Sequence, residues 1–178
     1  KMNIKGRCRG NGAQLGNYLL STKDNVRAEC LAMYGASTSN PRRALLEMSL
    51  TSELSNRTDD GLYHMQLSPR AHEATDMTWE QKLRSVEITA DNMGLIGHRW
   101  TLWEHEKDDG RIHMHLVFER YNHDTGKMWD DRHNYDKHLT AARQMEKEFG
   151  WQLTHENKNH LDDDLKQIIT DFYLESET

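Results

Sequence analysis

The chain has 178 residues, 35% of them hydrophobic, enough for one domain with a sizeable core or one domain with a helical appendage. No apolar run approaches membrane-spanning length, no secretory leader is visible, and two isolated cysteines, Cys8 and Cys30, exclude a disulfide framework, so a cytoplasmic protein is expected. Acidic residues outnumber basic ones, 29 to 23, but the charge is uneven: acid gathers at Asp162–Asp164 and Glu175–Glu177, while Lys5, Arg7, Arg9, Arg27, Arg42 and Arg43 make the first quarter basic.

Residues 2–9 are predicted to form a short strand, broken by Gly10-Asn-Gly12. Leu15, Tyr18 and Leu19 recur at helical spacing over 13–22. Residues 26–34 alternate as a strand. Asn40-Pro41 supplies a cap and a first helical residue for a helix to about Arg57, with Leu46, Leu50 and Leu54 along one side. Residues 62–68 alternate cleanly, placing Tyr63, Met65 and Leu67 on one face and His64, Gln66 and Ser68 on the other. Thr78 and Gln81 form a capping box for a helix to Met93 with the stripe Trp79, Leu83, Val86, Ala90 and Met93. Two strands follow, about 98–106 and 111–121, then a helix at 136–149 ended by Gly150. A last amphipathic helix at 161–174 carries Leu165, Ile168, Ile169 and Phe172. The expected fold is α+β: an antiparallel sheet with helices on one face and the chemistry on the other, open face. Residues 1–157 form the main domain, and 158–178 a C-terminal amphipathic helix packed on it or starting a linker.

The strand from Arg111 to Glu119 carries the first chemical signal. His113 and His115 share a face, backed by Val117, while Ile112, Met114, Leu116 and Phe118 fill the opposite one. Imidazoles at this spacing are half of a divalent-metal site. The hairpin decides the third ligand. A two-residue turn at Asp109-Gly110 sets Glu106 against His113; a three-residue loop, Asp108 to Gly110, sets His105 there instead. Only the three-residue register keeps Trp100 and Leu102 with Leu116 and Phe118 and spares Arg99, Thr101 and His105 a place in the core. It makes His105, His113 and His115 the expected ligands of one divalent ion, Mn or Mg.

A histidine, a short acidic hairpin and a His-hydrophobic-His strand resemble the third motif of the HUH endonuclease superfamily, and the rest of the chain is similar to its plasmid mobilisation relaxases. Gly16-Asn-Tyr-Leu-Leu20 matches the N-terminal motif, which puts Tyr18 in the nucleophile's place. Tyr63-His-Met-Gln-Leu-Ser68 matches the second motif, which implies DNA-holding roles for His64 and Ser68. The family often has Asn where Glu119 stands. The resemblance implies a ferredoxin-like palm and nicking of one strand of single-stranded DNA at a transfer origin, with a 5′-phosphotyrosyl intermediate. Accessory relaxosome proteins are the implied partners. Arg7, Arg9, Arg42, Arg43, Arg70 and Arg120 are candidate phosphate contacts, and Glu106 is a candidate for orienting His105.

Overall fold

Alternating strands and capped amphipathic helices assemble into a five-stranded antiparallel sheet with helices on both sides; the computed structural model describes residues 1–151. In chain order the elements are β1 (Met2–Arg9), α1 (Gly12–Leu20), β2 (Arg27–Tyr34), α2 (Pro41–Leu50), β3 (Leu62–Pro69), α3 (Ala71–Asp76), α4 (Trp79–Met93), β4 (Trp100–Glu106), β5 (Ile112–Glu119), the two-residue strands β6 (Tyr121–Asn122) and β7 (Lys127–Met128), and α5 (Asn134–Glu148). The sheet order is β1-β3-β5-β4-β2, so β5 is central and β1 and β2 are edges.

One face of the sheet is covered by α4 and α5. Met65, Leu67, Leu102, Met114, Leu116 and Phe118 meet Val86, Ile88, Met93, Ala142 and Met145 there in one continuous core. The caps read from sequence hold α4 in place: Thr78 accepts from the Gln81 amide, Gln81 accepts in return from the Thr78 amide, and Gly94 ends the helix at φ +72°.

The other face is not open along its whole length, as the alternation suggested. Leu62, Trp103 and Val117 share parity with the histidines but are apolar, and Leu15 and Leu19 of α1 with Leu45 and Met48 of α2 close over them as a second, smaller core. The apolar cover stops short of the end nearest the β4–β5 hairpin, which carries the histidines, and at the opposite end the same face holds buried Glu119 bonded to Arg99. Two glycines permit the close cover. A Cβ on Gly12 would lie 2.3 Å from the Leu45 carbonyl oxygen, and one on Gly16 would lie 2.9 Å from Cγ of Arg42.

Several expectations are corrected. The helix opened by Asn40-Pro41 ends at Leu50 and gives way to one 3-10 turn, Thr51–Leu54. Its buried side is Ala44, Leu45 and Met48, while Leu46, Leu50 and Leu54 are exposed: an i, i+4 leucine repeat cannot say which side of a short helix faces the sheet. Trp79, at the head of α4, is also exposed. Helix α3 and the β6–β7 hairpin had no periodic signal long enough to read. The helix expected at 161–174 lies outside the described residues.

Candidate functional site

The site begins with the hairpin. The Lys107 and Arg111 backbones pair at 2.8 Å, the Gly110 amide donates to the Lys107 carbonyl at 3.0 Å, and Gly110 sits at φ +81°. This is the three-residue loop with a left-handed glycine, and it sets His105 opposite His113 and Trp103 opposite His115. On the neighbouring strand Gln66 opposes His115 and His64 opposes Val117.

Helix α1 brings the tyrosine. Leu15 and Leu19 are fully buried beneath it, whereas Tyr18 projects over the polar end of the sheet, 49% exposed. Its ring centroid lies 5.8 Å from that of His105, 5.9 Å from His115 and 6.2 Å from His64. The last carbonyls of a helix have no partner within it. Here Nε2–H of His105 donates to the Leu19 carbonyl at 2.8 Å, and the Ser21 amide donates to that of Tyr18 at 3.2 Å. The helix carrying the tyrosine is thereby tied to the imidazole beneath it.

The histidines are more enclosed than expected: His105 and His115 are each 1% exposed. The His105 and His115 rings are 4.4 Å apart, and His64 Nε2 lies 2.8 Å from His115 Nδ1. His113 is turned toward Gln66, whose amide nitrogen lies 3.1 Å from His113 Nδ1 and 3.0 Å from the Ser68 hydroxyl. Burial is the main force on all four, with neighbouring positive charge adding to it at His64, His113 and His115. It lowers His64 to about 4 and His115 to about 2, and lowers His105 and His113 as well. These imidazoles are neutral at neutral pH, the form that ligates a metal. Among the described residues no three His, Cys, Asp or Glu side chains are already drawn into a ligating group.

Edge strand β1 supplies the charge. Alternation places Lys5, Arg7 and Arg9 on the site face, with Lys5 opposite Gln66 and Arg7 opposite His64. Together with Gln14, Tyr18, His64 and Gln66 they line a groove of about 580 Å³. Arg7 and Arg9 were singled out from sequence. Lys5, Gln14, Gln66 and the Leu19 carbonyl were not assigned a role there, although the parity of residues 2–9 already grouped Lys5 with the two arginines.

Other candidates stand elsewhere. Glu106 has the opposite parity from His105 and binds Arg27 at 3.1 Å on the far face, so the Leu19 carbonyl is the group that orients His105. Arg120 is 8% exposed and donates to the carbonyls of Asp60 (2.7 Å) and Trp129 (2.9 Å), a structural tie and not a phosphate contact. Beside it, fully buried Glu119 accepts from Arg99, Thr51 and His123, which gives the acid at this position a structural reason. Arg70 lies at the end of β3 where α3 begins, outside the groove lining. Arg42 packs its stem against Gly16, and Arg42 and Arg43 are exposed on α2.

An exposed tyrosine thus stands above buried neutral imidazoles, on an antiparallel sheet beside a basic strip. The chain belongs to the relaxase family, MobA/VirD2-like, nuclease domain, whose model matches residues 18–151; it is a DNA relaxase domain, a site-specific DNA nickase. Two solved structures share the fold. The MobM relaxase domain (MOBV; Mob_Pre), solved with Mn and bound to 22 nucleotides of plasmid pMV158 oriT DNA, is 17% identical at a TM-score of 0.54, over 85% of this chain and 88% of that one. A protein solved in work on the molecular basis of vancomycin resistance transfer in Staphylococcus aureus is 9% identical at a TM-score of 0.51, over 85% of this chain and 95% of that one. No curated protein matches.

Proposed function

We propose that Tyr18 nicks one strand of single-stranded DNA at a transfer origin and keeps the 5′ end as a phosphotyrosine, with the imidazoles below it holding one divalent ion. The observation that carries this reading is the position of Tyr18. On a helix whose Leu15 and Leu19 are fully buried against the sheet, this aromatic ring stands half exposed over three histidines.

The side chains divide the work. Lys5, Arg7 and Arg9 run along the groove and hold consecutive phosphates of a single strand, an interaction that weakens with salt as counterions are released. Gln66, Ser68 and His64 lie on the same face and position the strand near Tyr18. The phenolic oxygen forms a bond to phosphorus as the bond to the 3′ oxygen breaks. The phenol gives up one proton and the departing 3′ hydroxyl takes one. Because one phosphodiester replaces another, the reverse reaction rejoins strands without an external energy source.

The donor set suits a divalent ion. A metal-binding imidazole usually gives its second ring nitrogen to a protein partner, and each candidate here has one: the Leu19 carbonyl for His105, His64 for His115, Gln66 for His113. Ligation by His113 through Nε2 requires the Gln66 amide to present its oxygen to Nδ1–H, and ligation by His115 requires His64 to accept from its Nδ1–H. When bound, Mn or Mg would supply positive charge to a phosphate oxygen as charge builds on it. Among the described residues no helix is long and apolar enough to cross a membrane, and the proposed place of action is the cytoplasm, with accessory relaxosome proteins.

The test is an oligonucleotide spanning a transfer origin, incubated with Mn or Mg. A covalent protein–DNA product mapped to Tyr18 is the expected result. Cleavage without any adduct would show that a water molecule attacks, and the tyrosine assignment would fall.

A further inference from the structure

A second groove lies on the far side of the sheet from the tyrosine. Tyr34, Leu83, Val86, Leu95, Ile96 and Trp100 line about 490 Å³ between α4 and the start of β4. Arg84, Glu87, Asp91, His98 and Gln144 border this apolar lining. Ile96 is 69% exposed and Tyr34 52%, and Tyr34 stacks on Trp100 with centroids 6.2 Å apart. Contiguous exposed apolar surface of this kind marks a place where something binds.

The described chain ends beside this groove. Gln144 of α5 is part of its lining, and Glu148, in the last turn of α5, accepts from Arg84 of the groove wall at 2.8 Å through both oxygens. Gly150, at φ +71°, then turns the chain, and the Trp151 amide closes back on the Glu146 carbonyl at 2.8 Å. The sequence continues with nine mostly polar residues, 152–160, which reach at most ~30 Å. After them come Leu165, Ile168, Ile169 and Phe172 at the i, i+3, i+4, i+7 spacing of one helix face.

We propose that the segment 161–174 docks this apolar face in the groove between α4 and β4. The tether decides for this occupant over a second copy of the chain. A segment joined through about ten residues meets the groove at an effective concentration on the order of millimolar, well above that of any free partner in a dilute solution. The groove is remote from Tyr18, so the inference is independent of how the tyrosine acts.

The test joins the two partners in the intact chain. Ile96→Cys combined with Ile169→Cys, treated with a short bis-maleimide, should give an intramolecular cross-link in most molecules, mapped by mass spectrometry. Leu54→Cys with Ile169→Cys, whose first site lies on the exposed turn after α2, should give little. Hydrogen exchange supplies a second reading: amides of 161–174 should be protected in the native chain, and Ile96→Asp, at an exposed position, should speed their exchange at least tenfold. Equal cross-linking at both sites, cross-links only between molecules, or no protection in the native chain would each overturn the proposal. Cross-links only between molecules would assign the groove to a contact between copies.

Discussion

The two faces of the sheet are built to different rules. Under α4 and α5 the core is mainly aliphatic and aromatic, with a few buried polar groups such as Ser85, Thr89 and His138 among them. Under α1 and α2 the apolar cover stops at Leu62, Trp103 and Val117, and the same strands continue with Gln66, His105, His113 and His115. The first face holds the molecule together. The second is packed just enough to set a helix, and leaves its polar groups hydrogen-bonded to one another. Strand parity sends the larger core to one face and the histidines, beside the smaller core, to the other.

That contrast can be broken from either side. Tyr18→Phe removes one oxygen from a half-exposed ring, so nicking and adduct formation should fall to background while melting temperature and single-strand affinity hardly change; gel assay, thermal unfolding and anisotropy read the three. On the covered face Leu116→Ala should cost about 2–5 kcal/mol by denaturant unfolding, yet leave the activity of the folded fraction near normal. A large activity loss without destabilisation there would erase the distinction between faces.

The covered face also has a pH signature. Asn134 donates to the Tyr63 hydroxyl, which lies 2.9 Å from Nε2 of buried His138, and burial lowers this histidine from 6.5 to about 4. The unfolded chain takes up the proton first, so stability is complete above pH 6.5 and is lost as pH falls toward 4. The loss is at most about 3 kcal/mol. Burial lowers the histidines under α1 as well, so the difference in slope between the native chain and His138→Gln isolates this residue. Identical slopes would refute the assignment. Smaller again is Gly12→Ala, whose methyl must push α2 from the Leu45 carbonyl. About 1–3 kcal/mol is expected, with cleavage reduced more than DNA binding because Tyr18 shifts. The smallest effect on stability, under about 1 kcal/mol, is expected for partly exposed His113→Ala, which should nonetheless remove most cleavage.

Much of this was readable in the sequence because it followed from parity and caps. The choice of His105 over Glu106 came from asking which register buries fewer polar groups, and the hairpin obeys it. The same reasoning misjudged how bare the second face is. Leu62, Trp103 and Val117 were visible at the right parity, but what covers a face is a tertiary fact. Leu46, Leu50 and Leu54 failed similarly, since periodicity finds a stripe without saying which way it turns. Arg120 looked like a phosphate contact because charge shows in sequence and two carbonyl partners do not. The bond from His105 to the Leu19 carbonyl left no sequence trace, since its acceptor is backbone.

That bond bears on reversibility. In the proposed reaction the tyrosine oxygen carries one end of the broken strand after attack, and any drift of α1 would misalign it for the return. Pinning the last turn of the helix to an imidazole of the sheet keeps the attacking group and its surroundings in one frame through both halves of the exchange. On that proposal, the geometry that cuts is still in place to seal.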